Sequence, residues 1–277
     1  MPYATIQLDF EGETARLTLN RPEKRNAISP EMVAELMSAL DDVERSPARV
    51  TVLTGAGTAF CGGMDLAVLQ SLAVAAVPKG EQDAAAGQAA PENVAAHLED
   101  SRRIAALFRR IFTFPKPLIA AVNGAAIAGG CGIATLCDFT LAVPKAQFGY
   151  TEVRIGFIPA LVSVFLIRQI GEKRARDLLL TGRLISAEEA RAIGLVNEIV
   201  EPVRLLTRAT ELARNLLSAS PTSLTLTKRL LVRFSEAELD RELKMAIEEN
   251  AWIRTTADFR EGLSAFLDKR SPVWHGS

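Results

Sequence analysis

Histidine is close to absent from this chain: among 277 residues only His97 and His275 occur. A metal-hydrolase centre is therefore nearly excluded, and a Ser-His-acid triad would have to recruit one of those two residues. Cysteine is scarce too. Cys61, Cys131 and Cys137 make no disulfide framework in a chain of this length, and Cys131 and Cys137 lack metal-ligand spacing. The net charge of -1 gives no broad field for nucleic acid or an anionic membrane, and aromatic residues that could stack on bases are few, at 6%. No basic stretch followed by an apolar run appears in Met1-Pro2-Tyr3-Ala4-Thr5-Ile6, so no secretory leader is expected and the protein is expected to be cytoplasmic. The charge-free stretch from Leu118 to Cys137 is long enough to cross a bilayer. Asn123, Gly124, Gly129, Gly130 and Gly132 interrupt it, so it reads as a buried strand, a turn and a core helix.

What is present suits a soluble globular protein, with 48% hydrophobic and 23% charged residues. A full core is within reach, as one large domain or one domain with an appendage. Thr5–Phe10 and Ala15–Asn20 alternate around Glu11-Gly12-Glu13 and predict a hairpin. Ser29-Pro30-Glu31 predicts a helix start, with Met32, Leu36, Ala39, Leu40 and Val43 as its apolar stripe. Strands are expected at Arg49–Thr54, Leu118–Val122 and Phe139–Val143, and helices from about Val94 to Ile111, up to about Leu136, and over Ala160–Ile170. Between Leu66 and about Asn93 the chain is rich in Ala, Gly and Gln. It reads as broken helix in a surface loop, with Leu72 to Pro91 expected to be a mobile active-site cover. Ser186-Ala187-Glu188-Glu189 and Ser235-Glu236-Ala237-Glu238 are capping boxes, and Pro221 opens a further helix. No strand is expected after Val196–Val200, and no internal sequence repeat stands out. The division that follows is a strand-rich core over residues 1–202 and a helical segment over 203–277.

Two glycine-rich turns flank the α/β core, Phe60-Cys61-Gly62-Gly63-Met64-Asp65-Leu66 and Ala126-Ile127-Ala128-Gly129-Gly130-Cys131-Gly132. Where such a turn opens a helix, the first N–H groups lack an intrahelical partner and point outward. Two such turns can aim two N–H groups at one developing oxyanion, the usual demand of acyl chemistry. Glu152 follows in Gly149-Tyr150-Thr151-Glu152 as a candidate acid/base. Each feature also has a plainer reading. Single glycine turns commonly just permit close packing. Gly55-Ala56-Gly57 is not a dinucleotide fingerprint, because Phe60 stands at the third glycine position. Glu152 alone reads as a surface carboxylate paired with Arg154, Asp65 as a helix cap, Asp138 as a pin on a turn, and Cys131 and Cys137 as core filler. His97 reads as exposed. Leu226, Leu230 and Phe234 form a packing face open to contacts between subunits.

In order, the strings Asn20-Arg21-Pro22 … Asn26-Ala27, Ala59-Phe60-Cys61-Gly62-Gly63-Met64-Asp65-Leu66, Ala121-Val122-Asn123-Gly124-Ala125-Ala126 … Ala128-Gly129-Gly130-Cys131, Cys137-Asp138, Ala146-Gln147-Phe148-Gly149 and Leu180-Thr181-Gly182 resemble the enoyl-CoA hydratase/isomerase (crotonase) family. Glu261-Gly262 … Phe266 … Lys269-Arg270 fits as well, and the likeness covers almost the whole chain. The resemblance implies an α/β fold, a crotonase-like ββα spiral with a C-terminal helical trimerisation segment, and a homotrimer or dimer of trimers. It implies an acyl-CoA substrate, with coenzyme A as part of the substrate rather than a cofactor, and no metal, nucleic acid or membrane partner. By the same resemblance the oxyanion donors are the N–H groups of Met64 and Gly129, and the acid/base residue is Glu152. The substrate-binding set is Met64, Asp65, Leu66, Ala67, Gly129, Ala27 and Lys269. Lys269 reads equally as half of a solvated charge pair with Arg270.

Two positions depart from the family pattern. Hydratases of this kind use two glutamates, and the first would fall where this chain has Gly132. Pro159-Ala160-Leu161 stands where many relatives start a helix with glycine. The expected activity is addition of water to a 2-enoyl-CoA. The alternatives are 3-enoyl-CoA to 2-enoyl-CoA isomerisation, for which one glutamate is sufficient, and thioester hydrolysis or decarboxylation on the same scaffold. A non-catalytic binding protein, including an RNA binder, is disfavoured by the near-neutral charge and the few aromatic residues.

Overall fold

The computed structural model describes residues 3–75, 91–234 and 236–276. Strands β1 (Ile6–Glu11) and β2 (Thr14–Leu19) form the expected antiparallel hairpin. Helix α1 (Pro30–Arg45) starts at the expected signal: Ser29 Oγ accepts from the Met32 N–H at 3.2 Å, satisfying one orphan donor of the first turn. All five residues of its predicted stripe are buried.

A geometric unit then repeats, although the sequence shows no repeat. It begins with a long strand, β3 (Val50–Gly55), a short strand, β4 (Ala59–Cys61), and helix α2 (Leu66–Ala75). After α3 (Pro91–Thr113) come β5 (Leu118–Val122), β6 (Ala125–Ile127) and α4 (Gly129–Leu136). The third copy is β7 (Phe139–Ala142), β8 (Gln147–Gly149) and the 3-10 turn Glu152–Ile155. Helices α5 (Ala160–Ile170) and α6 (Glu172–Thr181), strand β9 (Ile185–Ser186), helix α7 (Ala187–Ala192) and strand β10 (Glu198–Ile199) complete this part. The long strands assemble in the order β1-β2-β3-β5-β7-β10, and the short ones in a second sheet, β4-β6-β8-β9. Helices α8 (Leu205–Leu217), α9 (Pro221–Arg233), α10 (Glu236–Trp252) and α11 (Ala257–Leu267) follow, with no strand after β10 among the described residues.

The small sheet positions the site. β4 pairs parallel with β6, and β6 parallel with β8. Their carboxyl ends therefore face one way, and ligands of α/β sheets bind beyond that end. The Met64 turn follows β4, Gly129 follows β6, and Glu152 follows β8. Close approach is enforced at Gly130, where a Cβ would collide with the carbonyl oxygen, Cβ and Sγ of Cys61.

Several expectations need correction. His97 is buried on α3 rather than exposed. Glu152 has no ion pair with Arg154; burial, not a cation, dominates its environment. Leu66–Ala75 is regular helix, and the next described helix starts at Pro91, against the expected start at about Val94. The cover expected over Leu72 to Pro91 falls mainly on residues 76–90, outside the described residues, as does Ser235 of the second capping box. The first capping box forms, Ser186 Oγ accepting from the Glu189 N–H at 3.1 Å. Asp138 pins the start of β5 by accepting from the Leu118 N–H at 2.7 Å. The Leu118–Cys137 stretch is strand, turn and core helix, and no described helix is long and apolar enough to cross a membrane.

Ala128 turns the chain from β6 into α4 at φ 50° and ψ -124°, a conformation that a Cβ resists. Such strain costs about 1–3 kcal/mol, against about 0.5–1 kcal/mol for the extra freedom glycine loses on folding. Ala128→Gly is therefore expected to stabilise the protein by about 1 kcal/mol. The check is the denaturant midpoint, and a midpoint at or below that of the parent protein counts against strain at this turn.

Candidate active site

In the first turn, neighbouring backbone groups are already committed. Ile28 N–H donates to the Gly63 oxygen at 2.8 Å, and Asp65 N–H donates to the Ile28 oxygen at 2.9 Å. Met64 lies between them in the Ile28–Met64 bridge, so its own N–H points to the opposite side, and the residue lines the cavity. Gly129 is the first residue of α4, and its N–H has no acceptor within the helix. Among the described residues neither N–H donates to any protein acceptor.

Glu152 opens its 3-10 turn at the end of the small sheet and is 8% exposed. Its Oε2 has no hydrogen-bond partner. Burial pushes its pKa up to about 7, opposed by one backbone hydrogen bond. A cavity of about 710 Å³ collects Met64, Asp65, Leu66, Ala67, Ala27, Gly129 and Glu152. Lys269 does not line it, although Phe266 and Leu267 just before it do. The exposed cations Lys24 and Arg25 border it.

Two of the expected residues have structural duties as well. Asp65 caps α2, Oδ1 accepting from the Ala67 N–H at 3.1 Å, and its Oδ2 is paired with Arg21 at 2.9 Å. The Arg21 Nη1 donates to the Ala27 oxygen at 2.6 Å, which fixes that carbonyl beside the cavity. No second carboxylate approaches from Gly132. A Cβ there would meet Val162 Cγ1 at 2.8 Å and Phe108 Cζ at 3.4 Å, so apolar side chains fill the place.

The enoyl-CoA hydratase/isomerase model matches residues 9–277. The chain belongs to the enoyl-CoA hydratase/isomerase family. A Thermus thermophilus protein provisionally named an enoyl-CoA hydratase is 47% identical over 263 residues, which are 95% of this chain and 97% of that one. The crotonyl-CoA hydratase of Syntrophomonas wolfei is 34% identical over 273 residues, covering 98% of this chain and 97% of the relative. Among solved structures, an enoyl-CoA hydratase/isomerase from Xanthobacter autotrophicus matches with a TM-score of 0.83 at 31% identity, over 97% of each chain. The fold is the family's ββα spiral with C-terminal helices.

Asn250 and Arg254 also line the cavity, and sequence reasoning missed both. Their only sequence signal is the one-turn spacing at the end of an otherwise ordinary helix. The partners that bury them, Ser101 and Asp100, come from α3.

The raised pKa of Glu152 makes stability depend on pH. The folded protein keeps the proton up to about pH 7, whereas an unfolded glutamate releases it near 4.5. The stabilising difference is therefore fully present below pH 4.5 and lost as pH rises to about 7. Glu152→Gln has no such dependence. Relative to that variant, the parent protein is expected to lose about 3 kcal/mol between pH 4.5 and 8, measured by denaturant unfolding. Parallel stability–pH curves for the two proteins would contradict the burial argument.

Proposed function

We propose that this protein is an enoyl-CoA hydratase that adds water across the C2–C3 double bond of a 2-enoyl-CoA thioester. The observation that carries the reading is one cavity holding two unpartnered backbone N–H groups and one unpaired, buried carboxyl group. In this mechanism the Glu152 carboxylate takes a proton from water as the water oxygen bonds to C3. Electrons move through C2 to the thioester oxygen, which becomes negative and accepts from Met64 N–H and Gly129 N–H. Losing one such donor typically costs about 2.7–4 kcal/mol of transition-state stabilisation. Glu152, now a carboxylic acid, returns the proton to C2 on the same face. Water is thereby divided into a hydroxyl on C3 and a hydrogen on C2, and the carboxylate is regenerated. The oxyanion carries most of the charge, so one carboxylate can serve twice where the N–H pair is preorganised.

A second reading is isomerisation of a 3-enoyl-CoA, favoured by the apolar filling around Gly132. Glu152 would remove the proton from C2 and return it to C4. The division at residues 202 and 203 also belongs to this proposal, the helical segment joining copies into a trimer or a dimer of trimers. The exposure of Leu226, Leu230 and Phe234 on and just after α9 supports that assembly. Lys269, exposed two residues beyond the cavity-lining Leu267, would meet the coenzyme A phosphates. A cytoplasmic setting suits three buried, unpaired thiols.

Incubating the purified protein with a 2-enoyl-CoA and a 3-enoyl-CoA and identifying the products tests the assignment. A 3-hydroxyacyl-CoA from the 2-enoyl ester is expected, and migration of the double bond without hydration would replace the first reading by the second. Glu152→Gln keeps the shape of the side chain but cannot take a proton; it is expected to lower kcat by about two orders of magnitude or more with acyl-CoA affinity nearly intact. For the parent enzyme kcat/KM should rise with pH and level off above about 7, where the free enzyme's Glu152 is ionised. Undiminished turnover in Glu152→Gln defeats the mechanism.

Gly132→Glu alone runs into Val162, and is expected to destabilise the protein without speeding hydration. Combined with Val162→Gly it is expected to raise the ratio of hydration to isomerisation, read from product ratios on the same two esters. An unchanged ratio in a folded double variant would show that a carboxylate at 132 cannot reach the water.

A further inference from the structure

The cavity lining is not hydrocarbon alone. Arg254, in the 3-10 turn Ile253–Thr255 after α10, lines the cavity yet is only 1% exposed. Its Nη1 donates to Asp100 Oδ2 at 2.7 Å, and its Nη2 to Asn250 Oδ1 at 3.1 Å. Asn250 Oδ1 also accepts from Ser101 Oγ at 2.9 Å. The guanidinium carbon sits 5.5 Å from the centre of the Phe157 ring, another cavity residue. These contacts set the plane of the guanidinium, but the buried Arg254 Nε–H meets no acceptor. His97, one turn before Asp100 on α3, is buried with neither ring nitrogen hydrogen-bonded.

Joining α3 to the end of α10 accounts for the Asp100 contact and leaves the spare donor unexplained. A buried ion pair is itself weak support for stability, and native proteins rarely leave a buried donor unpaired. Charge narrows the choice of ligand. Arg254 and Asp100 cancel, and burial together with the nearby Arg254 charge pushes the pKa of His97 down, which keeps it neutral. A carboxylate here would bring an uncompensated buried charge. A neutral oxygen would accept from Arg254 Nε–H at no such cost.

We propose that Arg254, oriented by Asp100 and Asn250, is a specificity-determining residue that receives a neutral oxygen function, a hydroxyl or carbonyl, carried on the acyl chain of the thioester. This rests on the acyl-CoA reading above. The test is calorimetric binding of saturated acyl-CoA esters in a chain-length series, each length prepared methyl-, hydroxyl-, keto- and carboxylate-ended. At one length the hydroxyl or keto ester is expected to bind about tenfold or more tighter than the methyl ester, the scale of a hydrogen bond to a charged group. Asp100→Asn/Arg254→Leu, which removes both charges together, is expected to erase the preference and leave methyl-ended esters bound. Should that variant not fold, Arg254→Lys keeps a cation beside Asp100, lacks the Nε–H, and is expected to lose the preference likewise. Binding of the whole series with no preference at any length overturns the proposal and leaves the acyl-CoA reading standing. Preference for the carboxylate ester, or a hydroxyl preference that survives both variants, also overturns it. Failure to bind any ester removes the acyl-CoA reading and the proposal with it.

Discussion

The close parallel pairing of β4 with β6 is the constraint on which the site depends, because it brings the two glycine turns together. Gly130 lies against Cys61, and at Gly63 a Cβ would stand 3.1 Å from the Ile127 oxygen and 3.2 Å from Ala128 Cβ. Side chains at those points would wedge the turns apart and separate the Met64 and Gly129 N–H groups. The loop between β2 and α1 holds the same region from outside. Asn26 Nδ2 donates to the Ala56 and Ala59 oxygens, both at 2.9 Å, while its Oδ1 accepts from the Arg21 N–H at 2.9 Å. Arg21 in turn grips Asp65 at the head of α2. The two N–H groups proposed as donors are thus held in place before any charge would develop, which is the condition under which backbone dipoles stabilise an oxyanion without reorganisation.

Glu152 shows the opposite arrangement. One backbone hydrogen bond is all that stabilises its charge: among the described residues no cation pairs with it, and Oε2 has no partner. A salt bridge would stabilise the fold but hold the carboxylate ionised and weakly basic. Leaving it alone costs stability at neutral pH and places its proton affinity near the working range, as the proposed role of taking and returning a proton requires. The folding penalty and the chemical usefulness are the same free energy. The surrounding core must offset it, and the buried clusters that pack around the cavity are where that compensation lies.

Long elements are legible in the sequence because periodicity and caps act locally. Ser29-Pro30 starts α1, Leu118–Val122 is the strand expected, and Ala160–Ile170 the helix expected. The short strands β4, β6, β8 and β9 are not legible, since two or three residues carry no period; they exist because each continues a ladder begun by its neighbour. Met64, Gly129 and Glu152 can be singled out because glycine turns and an isolated carboxylate leave a trace in the sequence. His97 is misread, and Arg254 is missed, for one reason: burial depends on α10 packing against α3, elements far apart in the chain. The apolar filling at Gly132 is equally hidden, since Phe108 and Val162 reach it from two different helices.

The C-terminal helices take part in the site as well as in the shape of the molecule. Helix α10 buries Leu239, Leu243 and Ala246 against the core and turns Met245 and Trp252 outward. Its far end and the 3-10 turn that follows deliver Asn250 and Arg254 to the cavity, and α11 delivers Phe266 and Leu267. A contact made on the outer face of α10 by another copy of the chain would therefore bear on a helix that also shapes the cavity wall. Since helices move as rigid units when their packing changes, assembly and acyl-group selection would be coupled through α10, whereas the oxyanion donors, anchored in the small sheet, would be insulated from it. On the proposed function, binding energy for the acyl tail and stabilisation of the developing charge would come from different parts of the fold, and substitutions would alter the first while sparing the second.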